Sequence, residues 1–299
     1  MRILVCFRTT PDYEALRESD WAALAAGDRA NETSGSGAEG PGGGEAGAGE
    51  ATGAGEATKY VRRVLNCFDE SALELALRLA EARTALGAAT ELTALSVAGR
   101  EADQHLKTLR ALGFARAARV QPDAALDFAP AATAALIAGY ARLHSGDVVL
   151  FGCRSGPGDG GTVPFRVAEA LGLPGLMQVT ELEPLGGQSL RVTCAADDAP
   201  LRVTLRPPCV LAVGNALVST LRVPTLRDRL AVRDEPVAVL SPADVGVDLG
   251  AQLAREATGL RGLQRIDRRR AGVVVHGATP AEQARSLYES HVRAALEAP

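Results

Sequence analysis

The sequence predicts an α/β fold: a mainly parallel sheet with helices on both faces, added antiparallel strands and a C-terminal arm. Three observations carry this. Short apolar runs alternate with segments of helical period through the first half of the chain. Turn residues separate them. After residue 175 the helical segments give way to short strand-like runs. Strict strand–helix alternation builds parallel sheets, because a parallel pair needs a crossover that a helix fills.

The elements follow in order. Residues 3–7 form an apolar run suited to a strand buried on both faces. Residues 69–86 place Leu73, Ala76, Leu77 and Ala80 on one helical stripe, with acids in the first turn, where the helix dipole favours them. Residues 91–97 read as the next strand, 101–112 as a helix stopped by Gly113, and 117–120 as a third strand. An Ala-rich helix over 130–143 precedes a fourth strand over 147–152. Residues 178–183, 189–194, 201–205 and the apolar run 209–213 are expected as antiparallel strands appended to the parallel sheet. Residues 280–298 have a helical pattern. Residues 1–240 are therefore taken as the α/β domain and 241–299 as a polar, Arg-rich extension expected to contact a partner subunit.

Within that domain residues 32–58 consist almost wholly of Gly, Ala, Glu, Ser and Thr. Such a segment cannot bury enough apolar surface to offset its ordering entropy and is expected to be a flexible insertion. Insertions of this kind cost only a logarithmic closure entropy, so the elements on either side can still meet.

Composition narrows the function. The 299 residues carry 32 basic and 36 acidic side chains, for a formal charge of −4, with no basic stripe rich in aromatics. Nucleic acid is excluded as a partner on that ground. The opening MRILVCFRTTPD is too short an apolar run for a secretory segment, and no run of about 18 apolar residues follows. A cytoplasmic protein without membrane insertion is expected. The five cysteines, Cys6, Cys67, Cys153, Cys194 and Cys209, form no CxxC pair, which fits free thiols in a reducing compartment. His105, His144, His276 and His291 stand far apart with no acid at metal spacing, and neither GxSxG nor HExxH occurs. Bond-making machinery is lacking, which favours a binding or carrier subunit over a self-sufficient enzyme.

The richest motif is FGCRSGPGDGGTVPFRVAEALGLPG, residues 151–175. Ligands of open α/β sheets bind outside the carboxyl ends of the strands, and this loop follows such an end. Small residues let backbone N–H groups approach a ligand, while the next helix offers its positive N-terminus to an anion. A sharp structural turn would need the same residues. GxxxxGK[ST] is absent, and no GxGxxG opens the first helix.

Five stretches together resemble the β subunit of electron transfer flavoprotein, the family that includes FixA-type proteins. MRILVCFRTTPD resembles its opening strand, and LNCFDESALELALRLAE its NPFDExALExAL segment. HLKTLRALGFARAARV resembles LRxALAMGADxAxxV. FGCRSGPGDGGTVPFRVAEALGLP lies where the family has GxQxxDDDxxQxGxxxAExLGxP. RVPTLRDRLAVRDEPVAVL covers the recognition segment RYPSLPNIMKAKKKPIEVL.

The resemblance implies an adenine-nucleotide α-hydrolase-like sheet and a heterodimer with an α subunit that carries the redox-active FAD. It implies AMP, or a second FAD, in this chain, and docking of flavin dehydrogenases. Carried over residue by residue, the nucleotide site comprises Cys6, Phe7, Arg8, Asn66, Asp69, Val97, Cys153, Asp159, Gly160, Gly161, Thr162 and Val163. Leu226 stands at the anchoring leucine of the recognition segment. The chain departs from the pattern at Pro157, Gly158 and Asp159, which replace three aspartates, and at Thr162, which replaces Gln. Arg227 and Asp228 replace the Pro-Asn after the anchor. AMP, FAD and an empty site stay open. So do two other classes, a stand-alone adenine-nucleotide enzyme and a nucleotide-sensing structural subunit, although HxGH and SGGxDS, the marks of such enzymes, are absent.

Overall fold

A computed structural model describes residues 1–12, 15, 62–124, 126, 128–144, 146–154, 161–256 and 272–297. The insertion 32–58 lies outside the described residues. The chain divides into two compact units, Met1–Leu263 and Gln264–Pro299.

The first unit is built on a nine-stranded sheet. Its strands are β1 (Arg2–Cys6), β4 (Glu91–Val97), β5 (Arg116–Val120), β6 (Val148–Gly152), β7 (Gly175–Pro184), β8 (Leu190–Cys194), β9 (Leu201–Leu205), β10 (Cys209–Val213) and β11 (Ala238–Leu240). Two further strands, β2 (Thr9–Pro11) and β3 (Arg63–Leu65), pair antiparallel in a ribbon of their own. The sheet order is β11-β5-β4-β1-β6-β10-β7-β8-β9, parallel from β11 to β7 and antiparallel thereafter.

Alternating side chains divide the core. Ile3, Val5 and Phe7 face one side of the sheet, where α1 (Cys67–Ala85) and α2 (Asp103–Ala111) contribute Leu73, Leu77, Leu106 and Leu109. Leu4 and Cys6 face the other, against Leu136 and Ile137 of α3 (Pro130–His144) and Val167 of α4 (Val163–Leu171). Between β10 and β11 lies α5 (Leu226–Ala231), and the chain beyond β11 returns to this second face, where Val245 and Leu249, the first residue of α6 (Leu249–Leu253), are buried. A glycine makes that return possible, since a Cβ on Gly139 of α3 would lie 2.4 Å from the Val245 carbonyl oxygen.

The expectation for residues 209–213 is corrected. All five are buried, and β10 runs parallel between β6 and β7 rather than antiparallel at the margin. The beginning of β7 is parallel to β10 as well, so antiparallel pairing starts only with β8. Residues buried on both faces belong inside a parallel sheet, and the uniformly apolar CVLAV carries that mark.

The second unit, within its described residues, contains α7 (Pro280–Leu287), a π-helical turn (Tyr288–Val292) and α8 (Arg293–Glu297), none with a buried residue. Thr279 caps α7 by accepting from the Glu282 amide at 3.2 Å, and Pro280 occupies the first turn, where its missing N–H costs nothing.

Candidate functional site

The strand order places a site. From β1 the chain steps outward through α1 to β4 and through α2 to β5, then returns by α3 to β6 on the opposite side of β1. The connections leaving β1 and β6 therefore diverge at the carboxyl end of the sheet, opening a crevice between them.

Asp69, in the first turn of α1, spans that crevice. One carboxylate oxygen accepts from the Arg8 amide at 2.9 Å, just past β1, and the other from the Gly152 amide at 2.9 Å, at the end of β6. The side chain is 5 % exposed, so both are charge-assisted bonds in a low dielectric, near the helix end that favours negative charge. Gly152 permits the approach: a Cβ there would lie 2.5 Å from an Asp69 oxygen and 2.8 Å from its amide nitrogen. Asn66, just before α1, donates its side-chain amide to the Arg154 carbonyl and ties in the loop after β6.

Above these strand ends is a cleft of about 320 Å³. Of the residues expected from the sequence, Cys6, Phe7, Arg8, Asp69, Val97 and Val163 line it. Asn66, Cys153, Gly161 and Thr162 are described but are not lining residues, while Asp159 and Gly160 lie outside the described residues. Cys153 is buried and donates its amide to Val213 at 2.7 Å. Gly161 has φ +71°, and a Cβ on it would sit 2.8 Å from the Cys153 carbonyl oxygen. Thr162 directly precedes α4, whose first residue, Val163, reaches the cleft.

Sequence reasoning missed Thr9, Arg63, Glu101, Pro122, Leu126 and Thr133 in the lining. Pro122 and Leu126 follow the end of β5, so the strand-end rule applied to every parallel strand, not only to β6, would have found them. Arg63 has no such signal. It arrives through the β2–β3 pairing, where its Nε donates to Thr9 Oγ1 at 3.1 Å and its Nη2 to the Thr9 carbonyl at 2.9 Å.

The cleft thus combines apolar walls from Leu95, Ile137 and Phe151 with two guanidinium-bearing residues and carboxylates already committed to backbone amides. Burial, and then the Asp69 carboxylate, push the Cys6 thiol well above the ordinary range, so it stays protonated and is no nucleophile. Among the described residues no group of His, Cys, Asp and Glu could hold a metal, and no helix is long and apolar enough to cross a membrane. Four cysteines are buried and Cys67 is exposed. Ellman's reagent should therefore label Cys67 quickly and the others only on unfolding; rapid labelling of the native Cys67→Ala chain would contradict this burial.

An open, doubly wound α/β domain with a cleft at its switch point is what fold and site define. Comparison with known proteins names the kind: the sequence model of the electron transfer flavoprotein domain matches residues 57–245, and the chain belongs to that family. A protein of Escherichia coli (strain K12), provisionally named electron transfer flavoprotein subunit YgcR, is 28 % identical over 99 % of this chain and 100 % of its own length. The electron transfer flavoprotein subunit beta of Syntrophomonas wolfei is 30 % identical over 61 % of this chain and 69 % of its own. The corresponding protein of Bradyrhizobium diazoefficiens is 28 % identical over 64 % and 74 %. An electron transfer flavoprotein role follows from this membership.

Proposed function

We propose that this chain is the β subunit of a cytoplasmic electron transfer flavoprotein heterodimer. It binds AMP in the switch-point cleft, while the α subunit carries the FAD that takes up and passes on electrons. Flavin dehydrogenases dock through Leu226, so the chain is a carrier subunit and not an enzyme in its own right.

The observation that carries the reading is the crevice spanned by Asp69. Its volume, about 320 Å³, sits at the small end of the range of roughly 300–1,000 Å³ for ligand sites, which favours a mononucleotide over FAD. The residues fit such a guest. Apolar walls suit a base, and Arg8 and Arg63 supply positive charge for a phosphate. The chain's own groups only bind and orient; the protonated Cys6 adds no chemistry.

Two substitutions separate ligand from docking. Gly161→Val forces a β-branched residue into positive φ and against Cys153, so bound nucleotide should be lost and the fold weakened. Leu226→Ala should retain nucleotide, but weaken dehydrogenase binding by about 1–3 kcal/mol, roughly 5–150-fold. Mass spectrometry of ligand released from the denatured heterodimer, paired with dehydrogenase-linked reduction of the flavin, reads both. Two FAD per heterodimer and no AMP would replace AMP by the larger ligand, and one FAD per heterodimer with no AMP would sink the binding claim. Unchanged reduction in Leu226→Ala would remove Leu226 from the docking site.

A further inference from the structure

A second cavity opens at the other end of the sheet. It has a volume of about 110 Å³ and lies at the amino ends of β1, β4 and β5, beside the last turn of α3. Strand alternation furnishes one wall. Arg2 shares a face of β1 with Leu4, Glu91 and Thr93 share one of β4 with Leu95, and Arg116 shares one of β5 with Ala118, all on the side that α3 covers. Tyr140 and His144 of α3 line the other wall, with their ring centroids 4.2 Å apart.

Donors dominate this lining. Tyr140 is 2 % exposed, but its hydroxyl makes no hydrogen bond to another described residue. A buried hydroxyl without a partner is uncommon, because its lost hydration goes uncompensated. Burial raises the Tyr140 pKa from its ordinary 10, with the Arg116 charge opposing, so the hydroxyl keeps a proton to donate. The Arg2 guanidinium has no hydrogen-bond or ion-pair partner among the described residues; only its amide is engaged, with Asp147 at 2.7 Å. The His144 imidazole likewise has no hydrogen-bond partner among them, only its contact with Tyr140. Arg116 pairs with Glu91 at 3.3 Å. Two guanidiniums therefore meet one carboxylate, and the partial negative charge at the end of α3, about half a unit, is smaller than that surplus.

We propose that this cavity binds a small tetrahedral oxyanion of the size of sulfate or phosphate, held by Arg2, Arg116, the Tyr140 hydroxyl and the His144 imidazole. Donors arriving from both the sheet and the helix suit the several oxygens of a tetrahedral ion better than the two of a carboxylate. The volume is about a third of that of the switch-point cleft and below the range of roughly 300–1,000 Å³ for larger ligands, which excludes a nucleotide. The site is therefore independent of the nucleotide reading. An ion here ties the starts of three parallel strands to the end of α3, and binding to the folded chain alone stabilises it.

His144 reports occupancy. Burial, and then the Arg116 charge, hold its pKa below the ordinary 6.5, and a bound anion raises it. The other charged groups around it are Arg2 and Glu91 at the strand ends, Asp147 on the Arg2 amide, and Arg142 of α3, which donates to the Ala170 carbonyl. The test follows the histidine rings of the full chain by NMR, with the His144 signal assigned through His144→Asn. Sulfate is the probe because its charge stays constant through the titration. Replacing chloride by sulfate at constant ionic strength should raise the His144 pKa by about half a unit or more. Arg2→Gln should weaken sulfate binding at least about tenfold and Tyr140→Phe about fivefold, with circular dichroism as in wild type. The two substitutions are made separately, so that unfolding of one chain leaves the other to decide. His105, whose ring meets the Arg63 backbone, reports binding on the side of the cleft instead. A His144 signal that treats sulfate and chloride alike overturns the site. So does a response confined to His105, or one undiminished in folded Arg2→Gln or Tyr140→Phe.

Discussion

Replacing Asp69 with Ala is expected to be the most damaging single change in the first unit. Both Asp69 oxygens accept from backbone amides at the ends of β1 and β6, and the side chain is 5 % exposed. Removing it deprives the Gly152 amide, and with it one end of the crevice, of a charge-assisted bond, each such bond being worth roughly 1.5–3 kcal/mol. A loss of about 3–5 kcal/mol follows, a drop in Tm on the order of 10 °C for a domain of this size. The strand ends would no longer be held at fixed spacing, so the nucleotide proposed for the cleft should be lost as well. Asp69→Asn separates shape from charge. Its amide can accept through one oxygen only and turns an N–H donor toward the other backbone donor, so about half the loss is expected. Urea unfolding monitored by circular dichroism, with nucleotide assayed by mass spectrometry, checks both. A Tm within about 2 °C of wild type in Asp69→Ala would show that the bridge contributes nothing.

That bridge also marks the limit of what could be read from the sequence. Asp69 was legible as an acid in the first turn of a helix, where the dipole favours it, and as part of a motif. Its two backbone partners belong to residues 61 and 83 positions away. No local rule connects them, because the contact exists only once β6 has returned beside β1. The central strands were legible for the opposite reason. Residues 3–7 and 148–152 are apolar at every position because they are covered on both faces, and that pattern is local.

β10 shows how a correct strand can be misplaced. CVLAV has the same uninterrupted apolar character as β6, yet it follows three strands separated by turn residues, and its neighbours in sequence suggested antiparallel pairing. Burial on both faces was the stronger signal. The three-residue β11 gave no periodicity to read and is recognisable only through its register with Ala118, Arg119 and Val120 of β5. In the cleft, residues just after parallel strands were within reach of a general rule, whereas Arg63 depends on a ribbon whose two strands are separated by the insertion.

Arg222→Ala should be the second large effect, and its pH dependence identifies the cause. Glu74 is 3 % exposed, and burial alone would raise its pKa. Hydrogen bonds from the Arg222 side chain and amide, then one from Arg78 and the charge of Arg222, outweigh burial and hold the carboxyl below its ordinary 4.5. A carboxyl depressed in the folded state stabilises at all pH values above its unfolded value, and that contribution fades as pH falls through the folded value. Without Arg222 burial dominates, with only the more exposed Arg78 opposing it, and the pKa moves the other way. The folded chain then carries a penalty above the unfolded value that disappears as pH falls. Stability lost at pH 7 should be about 2–4 kcal/mol, less than for a fully buried pair because Arg222 is itself 37 % exposed and screened. The gap between wild type and Arg222→Ala should narrow steadily from pH 7 to about pH 4. Glu70, whose pKa burial raises against a hydrogen bond from the Leu221 amide, titrates in both proteins and largely cancels from the difference. Glu74→Leu/Arg222→Leu removes the charge together with its partner and should recover most of the loss, since an apolar pair of similar volume leaves nothing buried and unpaired. Amide hydrogen exchange should nevertheless show α5 opened in both variants, because the Arg222–Glu74 clamp before it is gone. A stability gap that stays constant from pH 7 to pH 4 would assign the loss to packing of the Arg222 stem, and α5 amides as protected as in wild type would show that the helix holds its conformation without the clamp.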